Sequence, residues 1–237
     1  MPTIVMCSSK GGVGKSTIAA LLAQVYAQAG SSVTLIDADP NQPLATWAAQ
    51  FPDDVPGGID VVGGVTEETI IEAIDTAERR SAFVIVDLEG SANVSATFAI
   101  SRADLVLVPM RGKQLDANQA GRVVKLIDQQ AKLIRRPIPY RIVFSMTSAL
   151  LSKEERHIRD ALRDRSMPIL DAAVPERAAF SAVFQLGGSI YDLTREHIAS
   201  PQKAIEAAQH LANAVARELT VIARDAANPI LEEKARA

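Results

Sequence analysis

The segment Ser9-Lys10-Gly11-Gly12-Val13-Gly14-Lys15-Ser16-Thr17 lies between a short apolar run, Thr3–Ser8, and the start of a helical pattern. Few folds can use such a segment. Its glycines let the backbone curl so that successive N–H groups converge on phosphate oxygens. The helix that begins at its end adds unpaired N–H groups and the positive end of its dipole. Lys15 supplies a cation for the β- and γ-phosphates, and Ser16 a hydroxyl for Mg²⁺. Gly11, Gly12, Val13, Gly14 and Thr17 complete the expected nucleotide-binding loop. Ser9 stands where the ordinary loop has its first glycine, and Lys10 is an additional lysine. A second lysine beside a polyphosphate can act as an arginine finger does, reaching the nucleotide of a facing subunit. It can also be a solvated charge near an anion site.

The rest of the chain alternates strand-like and helical patterns, which predicts a doubly wound, mostly parallel α/β sheet flanked by helices. Strands are expected at Thr3–Ser8, Ser32–Asp37, Ile59–Val62, Phe83–Asp87, Leu105–Pro109 and Tyr140–Ser145, with a short one near Ile169. Phe83–Asp87 and Leu105–Pro109 are apolar on both faces, as doubly buried parallel strands are. Helices are expected over Lys15–Ala29, Pro43–Gln50, Thr66–Arg79, Asn93–Ser101, Leu115–Ile134, Lys153–Arg165 and Pro201–Arg224, and a surface loop over Phe51–Gly58.

Acids sit where such a sheet binds ligands. The run Leu35-Ile36-Asp37-Ala38-Asp39-Pro40-Asn41-Gln42 puts Asp37 and Asp39 at a strand's C-terminal end, beside the phosphate loop, where they suit magnesium coordination or the positioning of water. An Asx-type turn capping the next helix is the other reading of either acid. Asp87 closes Phe83-Val84-Ile85-Val86-Asp87, the Walker B form, in which a carboxylate reaches Mg²⁺ through water.

Lys10-Gly11-Gly12-Val13-Gly14-Lys15-Ser16 resembles the deviant Walker A motif of the ParA/MinD ATPases. The resemblance spans nearly the whole chain, as a single ParA-type ATPase domain over 1–237 of the short type. It implies a P-loop NTPase of the SIMIBI class that uses ATP and Mg²⁺ and closes an ATP-bound homodimer, with Lys10 crossing the interface. By the same resemblance Lys10, Lys15 and Asp39 are catalytic, Asp39 orienting the attacking water, and Ser16, Asp37 and Asp87 form the metal shell. Asn41 separates Pro40 from Gln42, where the family often has Gln directly after the Pro. Asp87-Leu88-Glu89-Gly90 resembles the second switch of related proteins, with the Gly90 amide meeting the γ-phosphate and Glu89 a loop charge, a dimer contact or an extra base. Val174-Pro175-Glu176-Arg177 resembles the loop that packs on the base, which makes Pro175 and Arg177 nucleotide-binding. Ser145-Met146-Thr147 stands where relatives often carry an Asn. ATP is favoured over GTP through the family alone, since no Asn-Lys-x-Asp guanine motif is present.

The family also implies non-specific DNA binding by scattered basic residues, and hydrolysis triggered by a ParB-like or cargo-adaptor protein. On the last helix Lys203, His210, Arg217 and Arg224 recur every seven residues opposite an apolar seam of Ile205, Ala208, Ala212, Val215, Leu219 and Ile222. At about 1.5 Å per residue this gives a cationic stripe roughly 30 Å long, able to track a phosphate backbone. Lys203, Arg217 and Arg224 are its fully charged members and the expected DNA contacts. An ordinary solvated face is the competing reading. Arg122, Lys125, Lys132 and Arg136 form a second candidate stripe.

Composition removes several classes. The 237 residues include one cysteine, Cys7, so there is no disulfide framework and no cluster held by two thiolates per subunit, as in a nitrogenase iron protein. A net charge of −3 excludes a globally basic nucleic-acid coat. No apolar run approaches the roughly 18 residues of a membrane span, and the N-terminus lacks signal-peptide features, so a cytoplasmic protein with no membrane partner is expected, and the family resemblance implies that it is nucleoid-associated. The phosphate loop starts at residue 10, so no preceding operator-reading domain is expected. The end, 228–237, carries Pro229, Glu232 and Glu233, unlike a basic amphipathic anchor. DNA partitioning, positioning of a protein cargo, and service to conjugal or T-DNA transfer remain together. Asp37-Ala38-Asp39-Pro40-Asn41-Gln42-Pro43-Leu44 with Trp47, and Glu176-Arg177-Ala178-Ala179-Phe180, look like the ParA-like transfer-enhancing proteins. A small-molecule synthetase of the dethiobiotin or cobyrinate type is the alternative on the same fold. The cobyrinate type is expected to need an amidotransferase domain, for which the chain is too short.

Overall fold

A computed structural model describes residues 1–51, 55, 57–90 and 93–227. The elements run β1 (Thr3–Met6), α1 (Lys15–Gln28), β2 (Val33–Ala38), α2 (Pro43–Ala48), β3 (Ile59–Val62), α3 (Ile70–Glu78), β4 (Phe83–Leu88), α4 (Val94–Arg102), β5 (Leu105–Met110), α5 (Gln114–Ile134), β6 (Tyr140–Thr147), α6 (Lys153–Asp164), β7 (Ile169–Pro175), α7 (Ala178–Leu186) and α8 (Pro201–Ala227). Among the described residues the strands form one sheet in the order β3-β2-β4-β1-β5-β6-β7, and every pairing is parallel.

Side-chain alternation explains why both faces are covered. Ile4 and Met6 of β1 enter a core with α1, α7 and α8, while Val5 and the following Cys7 enter the opposite core with α3, α4 and α5. Successive residues of a strand point to opposite faces, so a strand apolar throughout must lie between two layers. β1, β2 and β5 are buried along their whole length.

Register then fixes the site. Asp37 of β2 is paired with Asp87 of β4, and Asp87 with Met6 of β1, so both acids lie at the carboxyl edge beside the loop that leaves β1. That edge, near the point where strand order runs outward in both directions from β1, is where open α/β sheets bind ligands.

Three departures from the expected elements have physical causes. α3 starts at Ile70, because Thr66–Thr69 forms a turn in which the Thr69 hydroxyl accepts from the Thr66 amide at 3.0 Å. The strand near Ile169 is seven residues long. α7 was not expected: Ala179, Phe180, Ala182 and Val183 are all buried and Arg177 at its start makes no side-chain cap, so neither a polar face nor a capping residue announces it. Half of the expected Phe51–Gly58 loop, residues 52–54 and 56, and the 228–237 terminus read as unlike an anchor, lie outside the described residues. No described helix is long and apolar enough to cross a membrane.

Candidate functional site

The loop between β1 and α1 is shaped by its glycines. Gly12 and Gly14 take left-handed φ values of 69° and 88°, which a side chain resists. Val13 is buried and anchors the loop. Lys15 and Ser16 open α1, with Lys15 only 6% exposed. The backbone after β4 closes on this loop: a Cβ added at Gly90 would stand 2.6 Å from the Gly11 nitrogen. Only glycine fits there, in keeping with the reading of Asp87-Leu88-Glu89-Gly90 as a switch.

Gly11, Gly12, Gly14, Lys15, Ser16, Thr17, Asp39 and Gly90 line a groove of about 450 Å³, with Asn41, Glu89 and Met146. A smaller cavity of about 100 Å³ adjoins it through Gly14, Thr17 and Met146, and Pro175 and Arg177 line it. Ser145, at the position where relatives often carry an Asn, also lines it, and its hydroxyl is buried without a partner, as is Arg177 Nε. Such orphans are costly unless something polar meets them.

The three acids have separate local roles. Both oxygens of Asp87 are buried without a hydrogen-bond partner. Burial pushes its carboxyl up to about 7, against the pull of the nearby Ser16 hydroxyl and the Lys15 charge. A magnesium ion with its water shell fits this orphaned carboxylate and the adjacent Ser16 hydroxyl, since Mg²⁺ keeps several waters and binds through few protein groups. Among the described residues no cluster of three or more His, Cys, Asp or Glu could hold a metal alone, so nucleotide phosphates would have to complete the shell.

Asp37 is engaged otherwise. Its Oδ2 accepts from the amides of Leu44 at 2.7 Å and Ala45 at 2.9 Å, and its Oδ1 from Asp39 at 3.2 Å. Asp37 therefore caps α2, the turn-and-cap reading. Burial raises its pKa while these amides draw it down. Asp39 lines the groove, and its Oδ1 accepts from the Asn41 amide at 2.9 Å and Nδ2 at 3.0 Å. The inserted Asn41 thus clamps Asp39, and Gln42 turns into α2 through a left-handed φ of 46°. Trp47 on α2 donates its indole N–H to the Gly188 carbonyl at 3.1 Å and meets Phe51 edge-on at 5.4 Å, which ties α2 to the end of α7.

Lys10 does not line the groove. Its Nζ pairs with Oδ1 of Asp116 in the first turn of α5, while Arg111 Nε donates to Oδ2 at 2.7 Å. Ser9 donates to Gln119 Oε1 at 2.7 Å, one helical turn further on. Asp116 is 2% exposed. Burial raises its pKa, but Arg111 and Lys10 outweigh that and hold it below the usual carboxylate range. None of Arg111, Asp116 or Gln119 was singled out from sequence, because only the fold brings α5 against the loop.

The basic stripe lies apart from the groove. α8 packs through Ala204, Ala208, Leu211, Ala212, Ala214 and Val215 and leaves Lys203, His210, Arg217 and Arg224 exposed, with Arg224 paired to Asp225 at 3.2 Å. In the second stripe Arg122, Lys125 and Lys132 are exposed. Arg136 is exposed too, and its Nη2 also donates to the carbonyls of Ser101 and Ala103 at 3.2 and 3.1 Å, satisfying the C-terminus of α4.

The family model described as VirC1 protein matches residues 1–232. The chain belongs to the VirC1 family. It is also 40% identical to Protein ParA of Rhizobium radiobacter over 93% of this chain and 98% of that protein, which places this VirC1-family chain among ParA-like proteins of the short type. The MinD cell division protein of Aquifex aeolicus has the same fold, with a TM-score of 0.70, 20% identity and coverage of 91% of this chain and 97% of that one. So has cobyrinic acid a,c-diamide synthase from Mycobacterium smegmatis, solved with ADP and magnesium, at TM-score 0.69 and 18% identity. This chain covers 95% of that structure and 92% of its own length is covered.

Proposed function

We propose that this ParA-like, VirC1-family chain is a Mg²⁺-dependent ATPase that dimerises on ATP, binds DNA without sequence preference and positions or partitions plasmid or chromosomal DNA. One arrangement carries the reading. Lys15 and Ser16 line the groove, the buried Asp87 lies behind them within reach of the Ser16 hydroxyl and the Lys15 charge, and the extra lysine, Lys10, is held outside it. In this reading Lys15 and the loop amides bind the phosphates, Ser16 and Asp87 hold the ion's shell with Asp37 fixing α2 beside it, and Asp39, steadied by Asn41, orients water. Bound magnesium would supply charge neutralisation at the β- and γ-phosphates. Pro175 and Arg177 contact the base, and Lys10 serves the nucleotide of a second copy. Lys203, Arg217 and Arg224 contact phosphodiester; dimerisation doubles those contacts, so DNA affinity rises with ATP. A ParB-like or cargo-adaptor partner stimulates hydrolysis, and the protein works in the cytoplasm at the nucleoid.

A second reading, service to a conjugal or T-DNA transfer complex, is favoured by the VirC1 match over 1–232. The test is a gel shift on unrelated DNA duplexes with ADP, ATP and a slowly hydrolysed analogue. ATP-dependent, sequence-independent binding supports DNA positioning. Absence of binding in every nucleotide state contradicts the DNA-binding part and transfers weight to protein cargo or a small-molecule synthetase.

A further inference from the structure

The buried carboxylate of Asp116 serves two cations at once. Lys10 takes one oxygen and Arg111 the other, the latter at 2.7 Å, while the carboxylate side chain is 1% exposed and the two cations 34% and 36%. A buried carboxylate left with no partner is strongly destabilising. If Lys10 were its sole partner, moving Lys10 to a second copy would strand that charge. The two cations also differ in kind: guanidinium is a rigid planar fork suited to a carboxylate, and the lysine ammonium is a point charge on a flexible stem. Here Arg111 engages Asp116 through its Nε alone, and the flexible stem belongs to Lys10.

We propose that Arg111 is a positioning residue for Lys10: by holding Asp116 it lets Lys10 leave for the nucleotide of a second copy without stranding a buried charge. The proposal rests on the reading of Lys10 as acting across a dimer. Asp116 is then a holding site, occupied by Lys10 in the nucleotide-free chain and kept neutralised by Arg111 when Lys10 departs. The first two turns of α5 carry both that site and, through Gln119, the anchor of Ser9.

The test is the dimer dissociation constant, by sedimentation velocity with saturating slowly hydrolysed ATP analogue and Mg²⁺, alongside calorimetric ADP affinity. Arg111→Met is expected to weaken the dimer by about a hundredfold and to leave ADP affinity within about twofold, because the monomer keeps the Lys10–Asp116 pair. Arg111→Lys retains a cation and falls in between. Adding Asp116→Asn to Arg111→Met removes the charge that would be stranded and restores the dimer to within about threefold of the parent. Parent-like dimerisation of Arg111→Met, or failure of Asp116→Asn to restore it, overturns the proposal. Lys10→Ala separates the two levels. If it abolishes the dimer while Arg111→Met does not, the proposal alone falls; if Lys10→Ala dimerises like the parent, the reading of Lys10 across the interface falls, and the proposal with it.

Discussion

Asp87 and Asp116 are both fully buried acids near the carboxyl edge of one sheet, yet their surroundings are opposite. Asp87 has no hydrogen-bond partner for either oxygen, and burial raises its carboxyl to about 7. Asp116 has a cation on each oxygen and sits below the usual range. The first is a charge the fold leaves unpaid, which suits a cation that arrives with a ligand. The second is paired twice, which allows one of its cations to be lent. Function is written in the departures from ordinary pairing, one in each direction.

The largest expected effect is on the side of Asp87. Lys15→Ala removes the buried cation that faces both the phosphates and Asp87, and should weaken ATP binding by about a thousandfold or more, roughly 4 kcal/mol, in a fluorescent-nucleotide titration. Next comes Asp87→Asn. A carboxyl whose folded pKa is raised holds its proton in the native state between its unfolded value and about 7, so native stability falls as pH rises through that window. The variant should therefore be more stable than the nucleotide-free parent at pH 8, by about 3–4 kcal/mol, with the gap narrowing to about 1.5 kcal/mol at pH 5. Urea unfolding at the two pH values measures this, and a destabilised variant at pH 8 would break the contrast.

Asp116→Asn should have the opposite sign. The folded pKa is lowered, so the stabilisation is present above the unfolded value and is lost as pH falls through the folded one. Its two cations are each about one-third exposed and can be rehydrated, so the loss at pH 8 should be only about 1–2 kcal/mol, read by the same unfolding curves. The smallest effect extends the comparison to a surface charge. Arg136→Ala should cost about 1 kcal/mol through the freed carbonyls of Ser101 and Ala103, seen as a lower melting temperature, and leave DNA affinity unchanged. A drop in DNA affinity would make Arg136 a DNA contact of the second stripe.

What could be read from sequence was what local backbone chemistry dictates. The phosphate loop is contiguous, and its glycines and Lys15 carry their roles in their order. Asp87 follows four buried strand residues, so its position at the sheet edge is already implied. The sheet was legible because β1, β4 and β5 are apolar on both faces. Asp37 shows the limit of such reasoning: metal shell and helix cap were both consistent with its place, and its contacts to the amides of Leu44 and Ala45 depend on how α2 folds back over β2. Asp116, Arg111 and Gln119 were illegible because they acquire meaning from α5 lying against a loop more than a hundred residues earlier. The carbonyl partners of Arg136 were illegible for the same reason, since they lie on another helix. α7 escaped because an apolar nine-residue helix without a cap carries no periodic signal.

The central claim is that nucleotide joins two copies of this chain through Lys10. Sedimentation velocity of the parent protein with Mg²⁺ and a slowly hydrolysed ATP analogue, set against ADP, tests it most directly. The account predicts a dimer with the analogue and a monomer with ADP. A protein that stays monomeric in both, with the analogue demonstrably bound, contradicts it.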